Sequence, residues 1–158
     1  MFLKRCFPCV VVFLLSLAMS GETGYHQVNT FKLGGEGGWD YLSVDPVARR
    51  LYVSHATKVV VVDIDKDAVV GEIAPALGVH GIAIARDLDK GFISNGRGNN
   101  VTIFDLKTLK ATGTVATEMN PDAITYDPSS KRVIAFNGRS KSASVIDAKT
   151  GAFVVGGG

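Results

Sequence analysis

The sequence predicts an all-β fold built from repeated four-stranded units, the arrangement of β-propeller blades. Three observations predict it. Asp63, Asp105 and Asp147 each close an apolar run, and they stand 42 residues apart. Each interval holds four short runs rich in Val, Ile, Tyr, Phe and Thr, separated by turn residues. No segment of the repeat sustains a helical apolar period, so strands are expected throughout. Four strands per repeat of about 42 residues is the signature of a blade. A β-sandwich is the competing all-β arrangement, but it does not require a regular period.

Before the repeats, Met1 to Ser20 reads as a secretory signal peptide. Lys4 and Arg5 form a short positive region, and Phe7 to Met19 is a 13-residue apolar core broken only by Pro8 and Ser16. Ala18-Met19-Ser20 places small residues where a cut before Gly21 needs them. A membrane span needs roughly 20 apolar residues, so no span is expected once the signal is removed. The full chain has 17 basic and 15 acidic residues, and the two basic residues of the leader have no acidic counterpart there. The processed chain is therefore balanced at 15 against 15, which argues against a nucleic-acid partner. Cys6 and Cys9, the only cysteines, leave with the leader, which removes thiolate chemistry and Cys-based metal sites. A periplasmic or secreted location follows as the expectation.

The blades follow in order. Blade one spans about 39–73, with runs at Tyr41–Val44, Tyr52–His55, Val59–Val62 and Val69–Ile73. Blade two spans about 80–115, with runs at Ile82–Ala85, Phe92–Asn95, Val101–Phe104 and Ala111–Val115. Blade three spans about 121–156, with runs at Ala123–Tyr126, Ile134–Asn137, Ala143–Ile146 and Ala152–Val155. Asp45-Pro46, Asn95-Gly96, Asp127-Pro128, Asn137-Gly138 and Thr150-Gly151 mark turns between them. The third run of blade one is apolar at successive positions, as a strand buried on both faces requires. The repeated aspartates are expected to initiate the turn from third to fourth strand, a structural role. A further strand is expected over 25–33, ahead of the first blade. Its partners are missing from the chain, and in a closed ring it would complete the last blade.

Tyr52-Val53-Ser54-His55 and its two counterparts resemble the Y-V-T-N motif of YVTN-repeat propellers. The stretch from Gly37-Gly38-Trp39-Asp40-Tyr41 to His55 is similar to the start of YncE-like exported proteins. Blade one departs from the motif with His55 in place of Asn, and blade three with Ala135 and Phe136 in place of Val and Thr. The resemblance implies a ring of about seven blades, within the roughly four to eight of closed propellers. This chain, with three, then reads as the N-terminal part of a larger propeller.

Propeller geometry collects the entry of each blade and each second-to-third-strand turn on one rim. Candidate ligand-binding residues there are Trp39, Asp40, His55, His80, Arg97, Asp122 and Arg139. Trp39 can stack on a ligand or pack between blades. Arg97 and Arg139 follow Asn-Gly on adjacent loops, and can either hold a carboxylate or phosphate or simply be solvated. His55 and His80 sit on neighbouring loops without the local spacing of a metal site, although Asp40 or Asp122 could join them.

No catalytic residue, metal or cofactor is assigned. Asp63-Ile64-Asp65-Lys66-Asp67 imitates half a calcium loop, but Ala68 stands where glycine is required. Gly34 to Gly38 precedes a strand and not the helix a phosphate loop needs. Ser54 and His55 are adjacent, so their side chains leave opposite faces of a strand. Two functions remain. One is a binding or scaffold protein of the cell envelope, with a protein or small-molecule ligand. The other is a propeller enzyme of lactonase or quinoprotein type, whose central site would need further blades.

Mass spectrometry of the exported protein should find an N-terminus near Gly21. An exported form that retains Met1 would overturn the leader assignment.

Overall fold

The computed structural model describes residues 24–157; the predicted leader at 1–20 lies outside them. Residues 31 onward form the body described below, separate from the segment before it. Three four-stranded antiparallel sheets make up this body. Blade one holds β1 (Trp39–Asp45), β2 (Arg50–His55), β3 (Lys58–Asp63) and β4 (Ala68–Ile73). Blade two holds β5 (Val79–Ala85), β6 (Lys90–Asn95), β7 (Asn100–Asp105) and β8 (Ala111–Ala116). Blade three holds β9 (Pro121–Asp127), β10 (Arg132–Asn137), β11 (Ser142–Asp147) and β12 (Phe153–Gly157). The one helical turn among the described residues is the short 3-10 turn Arg86–Leu88. Strand order within each sheet follows the chain, and the first strands β1, β5 and β9 pack on one another while the fourth strands diverge. That splay is the geometry of blades around an axis.

Alternation along each strand assigns every side chain to one seam or the next. Tyr52, Val59 and Val61 leave blade one towards blade two, where they meet Ile82, Ile93, Phe104 and Leu106. Phe92, Val101 and Ile103 occupy the equivalent positions of blade two and meet Val133, Ala135 and Ile146 of blade three. Both faces of the middle strands are thus buried, which is why Val59 to Val62 show no alternation. Tyr52 and Phe104 anchor the first seam with ring centroids 5.8 Å apart.

Polar bonds repeat across the seams in the same register. The Ser54 hydroxyl donates to the carbonyl of His80, and the Ser94 hydroxyl to that of Asp122, 2.5 Å away in the latter case. At the start of the second strand, Arg50 donates to the carbonyl of Leu106 at 2.6 Å, and Lys90 to that of Lys149. One motif serine and one strand-initiating cation therefore clip each blade to the next.

The two outer faces differ. On blade one, Val53, Val60 and Val62 are covered by Phe31 and Leu33, so the middle of this face is closed. Leu33 lies six residues before Trp39, as Ile73 lies six before Val79 and Val115 six before Pro121. It packs on blade one as those fourth-strand residues pack in their own seams. The strand expected over 25–33 is not formed: none of the three sheets pairs with this segment. On blade three, Ile134, Phe136, Ala143 and Val145 take the positions that face the next blade, and Phe136 is 50% exposed.

The recurrent aspartates initiate turns, as expected. Oδ1 of Asp63 accepts from the N–H groups of Asp65 and Lys66 at 3.1 and 3.0 Å. Asp105 does so from Lys107 and Thr108 at 3.0 and 2.7 Å, and Asp147 from Lys149 and Thr150 at 3.0 and 2.9 Å. These bonds hold the charged form. The Lys66 ammonium lowers the Asp63 pKa, while backbone N–H donors lower those of Asp105 and Asp147.

A carboxyl with a folded pKa below its unfolded value stabilises the fold above the ordinary carboxylate range. That contribution is lost as pH falls through the folded value. Thermal melts should therefore hold a steady midpoint from pH 7 to about 5 and fall below about 4. Asp105→Asn preserves the turn acceptor without the titration, so it should flatten the acid limb. An acid limb unchanged in Asp105→Asn would refute the assignment.

Candidate functional site

The candidate residues group around the rim end of the first seam. Trp39 opens β1 and pairs in register with His55, the last residue of β2. Their rings stack with centroids 3.7 Å apart and an interplanar angle of 19°. The neighbouring blades explain why a histidine stands here in place of their asparagine. The Asn95 amide donates to the Thr102 hydroxyl at 2.8 Å, and the Asn137 amide to that of Ser144 at 2.9 Å. In blade one the equivalent residue is Val60, which offers no acceptor. His55 instead lies buried beneath Trp39, and its Nδ1 has no partner among the described residues.

The glycine-rich stretch before β1 now has a physical account. Gly35 passes directly over the imidazole edge, where a Cβ would come within 2.7 Å of His55 Nε2. It holds φ +97°, which glycine adopts without steric cost. The loop closes the outer side of the Trp39–His55 stack.

Beyond Trp39 a cleft of about 260 Å³ opens between blades one and two. Trp39, Asp40, His80 and Arg97 line it, with Ala56 and Gly78. Asp40 and His80 meet across the seam, Oδ2 to Nδ1, at 2.5 Å. This contact joins the first strands of two blades and leaves both side chains partly exposed. Arg97 sits on the turn after β6. Gly78, at φ +66°, allows that turn to approach, for a Cβ there would lie 3.0 Å from the Arg97 backbone nitrogen. The cleft thus combines an exposed indole plane, an exposed guanidinium and an acid–imidazole pair.

Trp39, Asp40, His80 and Arg97 are brought together, with His55 as the layer beneath. Asp122 and Arg139 are not part of this cleft. They belong to the second seam, where Asp122 is exposed and gives its carbonyl to Ser94, and where the Arg139 N–H donates to the Met119 carbonyl at 3.3 Å. Val79 takes the place of Trp39 at that seam, so no aromatic faces Asp122. The two histidines do not converge on a common centre, because His55 is sealed under Trp39 and His80 is engaged by Asp40. Among the described residues no three His, Cys, Asp or Glu side chains gather as a metal would require. Sequence reasoning placed Asp40 and His80 on one rim but did not foresee their pairing. It also passed over Gly78, whose only signal was a lone glycine just ahead of a blade's first strand.

No family model matches the chain. No curated protein matches it either. Solved structures do. Hydrazine synthase of Kuenenia stuttgartiensis superposes with a TM-score of 0.72 at 21% identity, over 84% of this chain and 39% of that one. U3-55K superposes with a TM-score of 0.69 at 12% identity, over 78% and 40%. The WD40 repeats of RRP9 give 0.67 at 11%, over 78% and 39%. These likenesses establish the β-propeller fold. The chain spans about two fifths of the length of the propeller chains it matches.

Gly78→Ala should cost roughly 1 kcal/mol for the left-handed backbone and push the Arg97 turn outward. Urea denaturation measures the first effect. A variant as stable as the parent would show that the close approach does not constrain the turn.

Proposed function

We propose that this chain is part of an exported β-propeller of the YVTN-repeat, YncE-like kind. It acts as a binding protein of the cell envelope and takes a small aromatic carboxylate in the rim cleft of the first seam. The leader pattern at Met1–Ser20 supports export, and the motif runs ending in His55, Asn95 and Asn137 support the kinship. The binding reading rests on one observation: Trp39 and Arg97 line the same cleft of about 260 Å³.

An indole face offers stacking to a planar ring, worth about 0.5–1.5 kcal/mol beyond burial. A guanidinium offers a carboxylate two parallel hydrogen bonds. Asp40 works against a second negative group, so one carboxylate is favoured over a dianion. The Asp40–His80 pair fixes the far wall by tying the two blades together. At about 260 Å³, just below the roughly 300–1,000 Å³ of ligand pockets, the cleft suits a ligand of one ring and one acid group.

Trp39 is the only tryptophan in the chain, so its emission reports on the cleft directly. Titration with benzoate, which lacks the indole chromophore, should give saturable quenching. Arg97→Ala should weaken it at least about tenfold, in line with the loss of a charge-assisted contact. Arg139→Ala, at the second seam, should leave it unchanged. Quenching that never saturates, or equal effects of the two arginine variants, would refute the proposal.

A further inference from the structure

A second cavity lies on the opposite side of the molecule from the rim cleft, at the outer end of the seam between blades two and three. It measures about 440 Å³; Ile103, Gly113, Val115 and Gly151 form its apolar part, and Asp89, Lys90 and Asp105 line its polar side. The two seams differ here at one position of the repeat.

The turn from third to fourth strand carries a left-handed residue in each blade: Asp67 at φ 51°, Leu109 at φ 59° and Gly151 at φ 76°. In blade two the Leu109 side chain reaches back onto blade one and lies over Gly71 in the middle of β4. A Cβ at Gly71 would come within 2.6 Å of Leu109 Cδ1. Leu109 is buried there, within the core of the first seam. In blade three the same place belongs to Gly151. Its backbone bond is conserved in kind, with the Gly151 N–H donating to the Asp147 carbonyl at 2.8 Å as that of Leu109 donates to Asp105 at 2.9 Å. The side chain is missing, and Ile103, one carbon longer than its counterpart Val61, brings its Cδ1 to 2.8 Å from where a Gly151 Cβ would stand. Gly113, the counterpart of Gly71, accordingly has nothing within 4 Å of where a Cβ would stand.

The floor of the opening records the same loss. Val61 and Ile73 of the first seam are 0% and 1% exposed, whereas their counterparts Ile103 and Val115 are 8% and 9% exposed. Both belong to the core between blades two and three, so the cavity is continuous with an interface the molecule already forms. Beside it runs β8, the edge strand of its sheet, with Ala111 to Thr114 exposed. An edge strand offers unpaired backbone groups to an added strand. Fourth strands lie on the circumference of a propeller, so further blades would leave this edge open.

We propose that this cavity receives a branched aliphatic side chain, leucine-like in size, from a partner polypeptide laid in extended form along β8. The occupant is specified by the molecule's own first seam, where Leu109 fills the equivalent space over Gly71. Thr112, Thr114 and Thr150 around the mouth suit a peptide backbone, whose amides need polar neighbours as they approach.

The test uses acetylated, amidated five-residue peptides with a central leucine or a central alanine in a threonine background. Hydrogen exchange of the full chain should show saturable protection of 111–116 and 150–151 by the leucine peptide. Its affinity should exceed that of the alanine peptide at least about tenfold, the order expected for burying three more carbon groups. Gly151→Leu refills the cavity from within, at a backbone conformation that Leu109 adopts in blade two, by displacing the flexible end of Ile103, whose Cδ1 lies 2.8 Å from the new Cβ. It should abolish the protection. Gly113→Val, which intrudes from the strand side, serves as a second variant should the first not fold. Equal affinity for the two peptides would overturn the proposal, as would protection that survives both variants. Self-association lost in Gly151→Leu, with no peptide protection in the parent, would place a second copy of the chain in the cavity and overturn it as well.

Discussion

Each blade has middle strands that are apolar on both faces, and that demand for two neighbours governs the rest of the structure. A sheet of this kind gains its burial only by stacking. Val59 and Val61 are sealed by blade two, and Val101 and Ile103 by blade three. The seam is apolar in its centre and polar at its corners, where a serine hydroxyl and a basic side chain reach carbonyls of the next blade. Those corner bonds set register. The apolar centre supplies most of the free energy, at about 25 cal/mol per Å² removed from water.

Stacking also decides what the two ends look like. The first blade's outer face is screened by Phe31 and Leu33, whose spacing from β1 matches that of a fourth strand from the blade that follows it. The third blade's outer face keeps the apolar centre, yet two corners of the pattern change. Phe136 stands where Ser54 and Ser94 reach across, and Arg132 turns to its own blade, donating to Asp147 at 2.7 Å. A neighbour there would have to meet an aromatic ring where the other seams present a serine hydroxyl to its carbonyl.

Much of this was legible in the sequence, because a strand period and a repeat period are properties of residue order. The expected runs at Tyr52–His55, Phe92–Asn95 and Ile134–Asn137 each fall inside β2, β6 and β10. The aspartates were legible as turn initiators because an Asx turn is local. The strand expected over 25–33 was not realised, for a strand is defined by its partner and not by its own composition. The cleft was half legible. Periodicity put Trp39, Asp40, His80 and Arg97 on one rim, but equally put Asp122 and Arg139 there. Only the seam separates them, and which seam a rim residue serves is a three-dimensional fact.

Comparison of equivalent positions recovers some of what a single reading misses. At the end of the second strand, asparagine is retained where a hydroxyl stands opposite, in Thr102 and Ser144, and is replaced where Val60 stands instead. The replacement, His55, needs another contact for its ring, and Trp39 supplies it by stacking. Trp39 is thereby held at the mouth of the cleft, and Gly35 before it passes over the histidine. A single loss of a hydroxyl on β3 thus propagates through His55 and Trp39 to the one aromatic wall of the cleft. The same logic runs through the leucine-to-glycine change at the turn of blade three, where one absent side chain opens a cavity. In a fold made of near-identical units, individuality resides at positions where one repeat fails to supply what its siblings do. Those departures, more than the motif, locate where this propeller can engage something other than itself.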